Sequence, residues 1–214
     1  MDKLQDCVFT DEEIDILQEI MNIAFGSAAA DLAEAIDLFV VLSVPVVRVL
    51  QAEELPEYIS NEIQGYDKVS LVEQDFLAKF KGVALLIFPS GIGKSLIAML
   101  ESDVDSTFES DPLDALERET LMEVGNILVG ACVSKVAELL EDVVIYSPPR
   151  VIVENLPYKA ISQDMFEPGN LAIILHTVFH FNAQDVSGFL FLVCSHESIN
   201  WLRKALYEFL KQYE

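Results

Sequence analysis

The chain has 214 residues, 52% of them hydrophobic, and a formal net charge of −23 from 36 acidic and 13 basic residues. That is long enough for a sizeable core and too apolar for a disordered chain. So negative a surface disfavours nucleic acid and anionic membrane as partners; it suits a partner with a basic face, or serves solubility alone.

The predicted elements follow in chain order. Residues 11–37 carry helical periodicity, with Ile14, Leu17, Ile20, Ala24, Ala28 and Leu32 along one apolar stripe. Thr10 is placed to cap this helix, and Glu13 three residues on completes a capping box. Residues 38–50 (LFVVLSVPVVRVL) are β-branched and read as a strand broken at Pro45. A short helix near 53–61, strands at 66–80 and 82–88, and a helix at 90–101 complete a first repeat, 11–102. The polar, acidic stretch 102–111 reads as the joint.

The second repeat, 112–213, opens with Asp111 as a cap and Pro112 in the first helical turn. A helix to about Leu140, strands at 143–154, 169–181 and 186–194, and a helix at 196–212 follow. The order of elements in one repeat returns in the other. The fold class expected is therefore α+β: one internally duplicated, pseudo-twofold domain over 1–214, a mainly antiparallel sheet with long helices packed on it.

Several residue types exclude common chemistries. Cys7, Cys132 and Cys194 are odd in number and lack metal-ligand spacing, so they read as reduced thiols, the last two in apolar runs. His176 and His180 fall on a predicted strand with no cysteine or carboxylate cluster beside them. Gly91-Ile92-Gly93-Lys94-Ser95 looks like a phosphate loop, yet Phe88 stands where the nucleotide motif requires its first glycine. Met21, Met99, Met122 and Met165 read as core filler. The longest apolar run, 38–50, contains Pro45 and Arg48 and is too short to span a bilayer. The acidic N-terminus carries no secretory segment, so the expected location is the cytoplasm.

The chemistry-bearing feature is one helical pattern written twice, 104 positions apart. The first copy is Asp15, Glu19, Asn22 and, further on, Pro45; the second is Glu119, Glu123, Asn126 and Pro149. A Glu and an Asn three apart share a helix face, about 60° around the axis and one turn along it. Such a pair can dock a cation and orient a water. Gly26 and Gly130 extend the two polar lines by a turn. An interior helix glycine costs about 1 kcal/mol relative to Ala, so its repetition points to close approach by the sheet beneath or by a partner above.

On these residues the chain resembles the CheC/CheX/FliY chemotaxis phosphatases, whose signature is [D/S]-x3-E-x2-N-x22-P. The first copy matches in full at Asp15, Glu19, Asn22 and Pro45; the second departs only at Glu119, which keeps the charge. Two copies look like the CheC branch, whereas FliY-like proteins add a rotor-binding domain for which this chain is too short. The resemblance implies hydrolysis of the aspartyl phosphate of a CheY-like response regulator. In that chemistry Asn22 and Asn126 would position the attacking water, and Glu19 and Glu123 would pair with a lysine of the regulator. Asp15 and Glu119 would dock or orient, Pro45 and Pro149 would lie on strands as architectural residues, and the regulator would supply Mg2+, leaving this chain without a cofactor of its own. The alternative it also implies is a non-catalytic protein that binds receiver domains or a CheD-type receptor deamidase.

Overall fold

The computed structural model describes residues 9–36, 39–64, 66, 68–89, 91–100, 115–154, 170–181 and 186–211. Helix α1 (Asp11–Ile36) begins where the capping box predicts. The Thr10 hydroxyl accepts from the Glu13 N–H at 3.1 Å, and the Glu13 carboxylate accepts from the Thr10 N–H at 2.8 Å. Strands β1 (Val40–Leu42) and β2 (Val46–Gln51) follow, then helix α2 (Leu55–Glu62), strands β3 (Val69–Leu77) and β4 (Gly82–Pro89), and helix α3 (Gly93–Leu100). The second series runs α4 (Ala115–Leu139), β5 (Ile145–Tyr146), β6 (Arg150–Glu154), β7 (Leu171–Phe181), β8 (Val186–Ser195) and α5 (Ser198–Lys211). The expected joint at 102–111 and the expected cap at Asp111 and Pro112 lie outside the described residues.

Pro45 and Pro149 correct one expectation. They sit between strands, not on them, in the breaks between β1 and β2 and between β5 and β6. A proline has no N–H to give a ladder, so the strand stops and restarts after it.

All eight strands form one antiparallel sheet, in the order β1-β7-β8-β4-β3-β5, with β2 also on β7 and β6 also on β3. That order is a palindrome about the β4–β8 pair. The register obeys the same symmetry: Phe76 opposes Tyr146 as Phe179 opposes Leu42, and Glu73 opposes Arg150 as His176 opposes Val46. In the central pair Leu85 opposes Phe191, and the equivalent residues Gly82 and Gly188, which oppose Phe76 and Phe179, each stand three positions before a member of that pair. The pseudo-twofold axis therefore passes through the Leu85–Phe191 pair.

Both faces of the sheet are covered, which is why β4 (GVALLIFP) is apolar without alternation. One face buries Val72, Phe76, Ala84, Leu86, Leu175, Phe179 and Leu192 against α1, α4 and α5. The other buries Leu71, Val83, Leu85, Ile87, Ile174 and Phe191 against Leu55, Ile59 and Ile63 of α2 and its end. By length and composition alone α4 could cross a membrane; its side chains Leu121, Val124, Leu128, Cys132 and Val136 are instead part of this core. Burial raises the thiols of Cys132 and Cys194, the latter to about 12, so both behave as packing groups.

His176 lies on the α2 face, 3.2 Å from the Tyr58 hydroxyl through Nδ1, stacked on Phe191 and 3.6 Å from the Glu62 carboxylate. Burial lowers its pKa and outweighs the attraction of Glu62, while Arg48 lowers it further. The folded state thus holds this imidazole neutral and the unfolded chain protonates it first. Its stabilising effect is complete above about pH 6.5 and is lost as pH falls below that value. His176→Gln should accordingly lose less melting temperature than the wild type between pH 7.5 and pH 5.5, as read by calorimetry.

Two glycines are demanded by the sheet. Gly82 opposes Phe76 and Gly188 opposes Phe179, symmetry mates across the axis. A Cβ on Gly82 would lie 2.1 Å from the Val193 carbonyl oxygen and 2.9 Å from the Phe76 ring; on Gly188 it would lie 2.3 Å from the Phe179 ring and 2.5 Å from the Ile87 carbonyl oxygen. Each aromatic ring lies over the backbone that the glycine leaves bare. Gly82→Ala and Gly188→Ala should each destabilise by about 1–3 kcal/mol in urea unfolding.

Candidate functional site

The apolar stripe of α1 is buried, Leu17, Ile20, Ala24 and Ala28 completely. That orientation turns Asp15, Glu19, Asn22 and Gly26 outward, and all four are exposed. Helix α4 does the same with Leu121, Val124, Leu128 and Cys132 inside and Glu119, Glu123 and Asn126 exposed. Both predicted lines exist, one on each long helix. Among the described residues no hydrogen bond or ion pair engages Asp15, Glu19, Asn22, Glu119 or Glu123.

Lys135 of α4 and Asp31 of α1 occupy equivalent positions of the two repeats and form an ion pair at 2.9 Å. The helices therefore meet at matching points. Each asparagine stands nine residues before its meeting point, about 13 Å along its helix. The duplicated chemistry is thus held as two separate stations, one per helix.

The reading of Gly26 and Gly130 needs correction. Nothing lies within 4 Å of a Cβ built at either position, so the sheet does not require them. The glycine pressed on the sheet is Gly125, where a Cβ would come within 2.6 Å of Val72 Cγ1. Position 21, its counterpart in α1, is a fully buried Met. The sequence carried a signal for this difference, a Gly immediately before Asn126 and a Met immediately before Asn22.

The proline breaks are tied to the helices, and here the repeats differ. In the first, Gln18 Nε2 donates to the Pro45 carbonyl at 3.2 Å, and Thr177 of β7 donates its hydroxyl to the Ser43 carbonyl at 2.6 Å. In the second, Gln74 of β3 replaces Thr177. Its Nε2 donates to the Ser147 carbonyl at 3.0 Å and to Asn126 Oδ1 at 2.8 Å. Tyr146 adds a bond from its hydroxyl to the Gly130 carbonyl at 3.2 Å and shares another with Ser134 at 2.8 Å; Leu42 holds the equivalent place in the first repeat. Gln74 was not legible as a site residue because it sits amid a strand, 52 positions from Asn126.

Of the groups judged unlike a metal site, His180 bonds Ser187 at 2.9 Å and His176 faces Tyr58. Among the described residues no three His, Cys, Asp or Glu side chains gather as a cation site.

A profile of the CheC-like family matches residues 12–48 and 116–153, the two motif helices together with the strand breaks that follow them. The CheY-P phosphatase CheC of Bacillus subtilis is 25% identical over 201 residues, which span 92% of this chain and 94% of that protein. The crystal structure of Thermotoga maritima FliY superposes with a TM-score of 0.68 at 22% identity, covering 94% of this chain and 98% of that one. The middle domain of FliM from Vibrio alginolyticus superposes with a TM-score of 0.57 at 16% identity, over 89% of this chain and 99% of that one. The two solved structures agree with the fold, and the segments matched by the CheC-like family profile coincide with the two exposed Glu–Asn stations, so the chain is similar to that family over both copies of its motif segment.

Proposed function

We propose that this protein hydrolyses the aspartyl phosphate of a CheY-like receiver domain at two sites, Glu19–Asn22 and Glu123–Asn126. The observation that carries this reading is the pair of exposed Glu–Asn stations, each on a helix packed firmly on one sheet, with both carboxylates left without a partner among the described residues. Similarity to a CheY-P phosphatase over most of the chain supports it.

An acyl phosphate is already reactive, so the catalyst has chiefly to place a water in line with the bond that breaks. A carboxamide can accept a hydrogen bond from that water and donate another to the phosphoryl group without taking a proton. The water oxygen bonds to phosphorus, the bond from phosphorus to the aspartyl oxygen breaks, the carboxylate leaves with the electron pair, and the water's proton departs with inorganic phosphate. Asn22 and Asn126 serve as the water-positioning amides. Glu19 and Glu123 pair with a lysine beside the phosphorylated aspartate, and Asp15 and Glu119 extend the docking line. The receiver brings the Mg2+ that balances the phosphoryl charge, as part of the substrate. The open space over Gly26 and Gly130 lets the receiver approach the helix backbone.

Phosphate lifetime on a phosphorylated receiver, with and without this protein, tests the reading. Asn22→Ala with Asn126→Ala should remove the acceleration, a loss of about 10² to 10³ in rate, while the fold and the binding persist. Either single substitution should leave measurable turnover. Wild-type activity in the folded double variant would sink the mechanism. If the wild type binds the phosphorylated receiver without shortening its lifetime, the protein is a binding module for receivers or for a CheD-type deamidase.

Docking is tested separately. Glu19→Lys with Glu123→Lys turns attraction into repulsion and should weaken receiver binding, by about 1 kcal/mol if the pairs stay exposed and by a few if they are desolvated. Gly26→Ala and Gly130→Ala should raise stability by about 0.5–1 kcal/mol each, since an interior helix position gains from Ala and nothing obstructs the methyl. The same variants should bind the receiver more weakly. Unchanged affinity would dismiss close approach at these positions.

A further inference from the structure

We infer that Gln74 is a positioning residue for Asn126, and that the two stations are consequently unequal, the second being the preorganised one. This rests on the phosphatase reading and adds to it a residue from another element, along with a ranking of the sites.

The Ser147 carbonyl can only accept, so the atom of Gln74 that faces it at 3.0 Å must be the amide nitrogen. The same nitrogen lies 2.8 Å from the Asn126 carboxamide, which must then present Oδ1 to it. Both amide protons of Gln74 are thereby used, one on each acceptor. One lone pair of Asn126 Oδ1 is thereby held by Gln74, which fixes the plane of the carboxamide and leaves its second lone pair and its Nδ2 protons for the water and the phosphoryl group.

Three further observations set this arrangement apart from the first repeat. Gly125 allows α4 to lie against Val72 of β3, the strand that carries Gln74. The counterpart of Gly125 is Met21, a large buried side chain in the same place. The counterpart of Gln74 is Thr177, whose hydroxyl donates to the Ser43 and Val178 carbonyls and makes no bond to Asn22. Finally, Gln74 is only 1% exposed, and its Oε1 has no partner among the described residues. A buried amide acceptor left so is costly, and an apolar residue there would pack more cheaply. The polar side chain is explained by what its nitrogen does to Asn126.

Fixing the carboxamide removes a rotational freedom that Asn22 retains. The entropy of orienting the water-positioning group is thus settled by folding at the second station and at the moment of reaction at the first. The effect belongs in turnover and not in receiver affinity, because the Glu–lysine contacts do not involve Gln74.

The test uses the full chain and a phosphorylated receiver domain in two backgrounds. With Asn22→Ala, only the second station works, and adding Gln74→Leu or Gln74→Thr should lower kcat about tenfold with KM unchanged. With Asn126→Ala, only the first station works, and the same additions should change neither constant. Of the two single asparagine variants, Asn126→Ala should lose more activity. Equal losses in both backgrounds would mark Gln74 as merely structural and overturn the inference, as would undiminished kcat in the Asn22→Ala background. Side-chain 15N relaxation supplies a readout that needs no catalysis: the Asn126 carboxamide should be ordered, the Asn22 carboxamide mobile, and Gln74→Leu should make the two alike. Equal mobility in the wild type overturns the inference whatever the activity, whereas an ordered Asn126 in a protein that leaves phosphate lifetime unchanged defeats the phosphatase reading instead.

Discussion

The structure depends on the antiparallel pairing of β4 with β8. Without it the sheet would fall into two halves, β1 and β2 with β7 and β8, and β5 and β6 with β3 and β4, each built from strands of both repeats and each with an open edge. With it, Leu85 meets Phe191 at the symmetry axis, and one sheet carries both long helices on one face and α2 on the other. Placement of the Glu–Asn stations follows. A helix whose buried stripe is fixed by a rigid sheet must present its opposite face in one orientation, and Asp15, Glu19 and Asn22 are on that opposite face.

Duplication sets up two equivalent places, and local packing then makes them differ. The contrast between Gly125 and Met21 is a matter of one side chain's volume beneath a helix. It goes with a second contrast, the long Gln74 against the short Thr177, and only Asn126 bonds a strand residue. Cores are close-packed, so a difference of this kind shifts a backbone and is not absorbed silently. The ties between helix and proline break show the same divergence: Gln18 reaches down from α1 to Pro45, whereas Gln74 reaches up from β3 to Asn126.

Charge acts at two levels. The acidic first turn of α1, Asp11, Glu12 and Glu13, faces the positive end of its own helix, and Glu13 also holds Arg203 of α5 at 2.9 Å. Burial would raise the Glu13 carboxyl, and its bonds from Arg203 and Thr10 bring it below the ordinary carboxylate range. The net charge of −23 is a property of the surface as a whole. It favours encounter with a basic patch, such as the lysine-bearing face that the proposed substrate would offer.

The sequence by itself determined the local features. Thr10 and Glu13 specify their capping box, the stripe from Ile14 to Leu32 specifies the buried side of α1, and Pro45 specifies a strand break, because each depends on residues within a turn or two of one another. The repeated Glu–Asn pair was legible for the same reason, as a matter of helical spacing. Tertiary structure alone decided the rest: the register that puts the axis at Leu85–Phe191, the need for glycine at 82 and 188 under Phe76 and Phe179, and the hydrogen bond from Gln74 to Asn126. The register and the Gln74–Asn126 bond join residues dozens of positions apart, the glycines are required where the Val193 and Ile87 carbonyls close in from neighbouring strands, and what matters in each is a distance of a few tenths of an ångström across a packed interface. Periodicity reports which face of an element is buried; it does not report what that face meets.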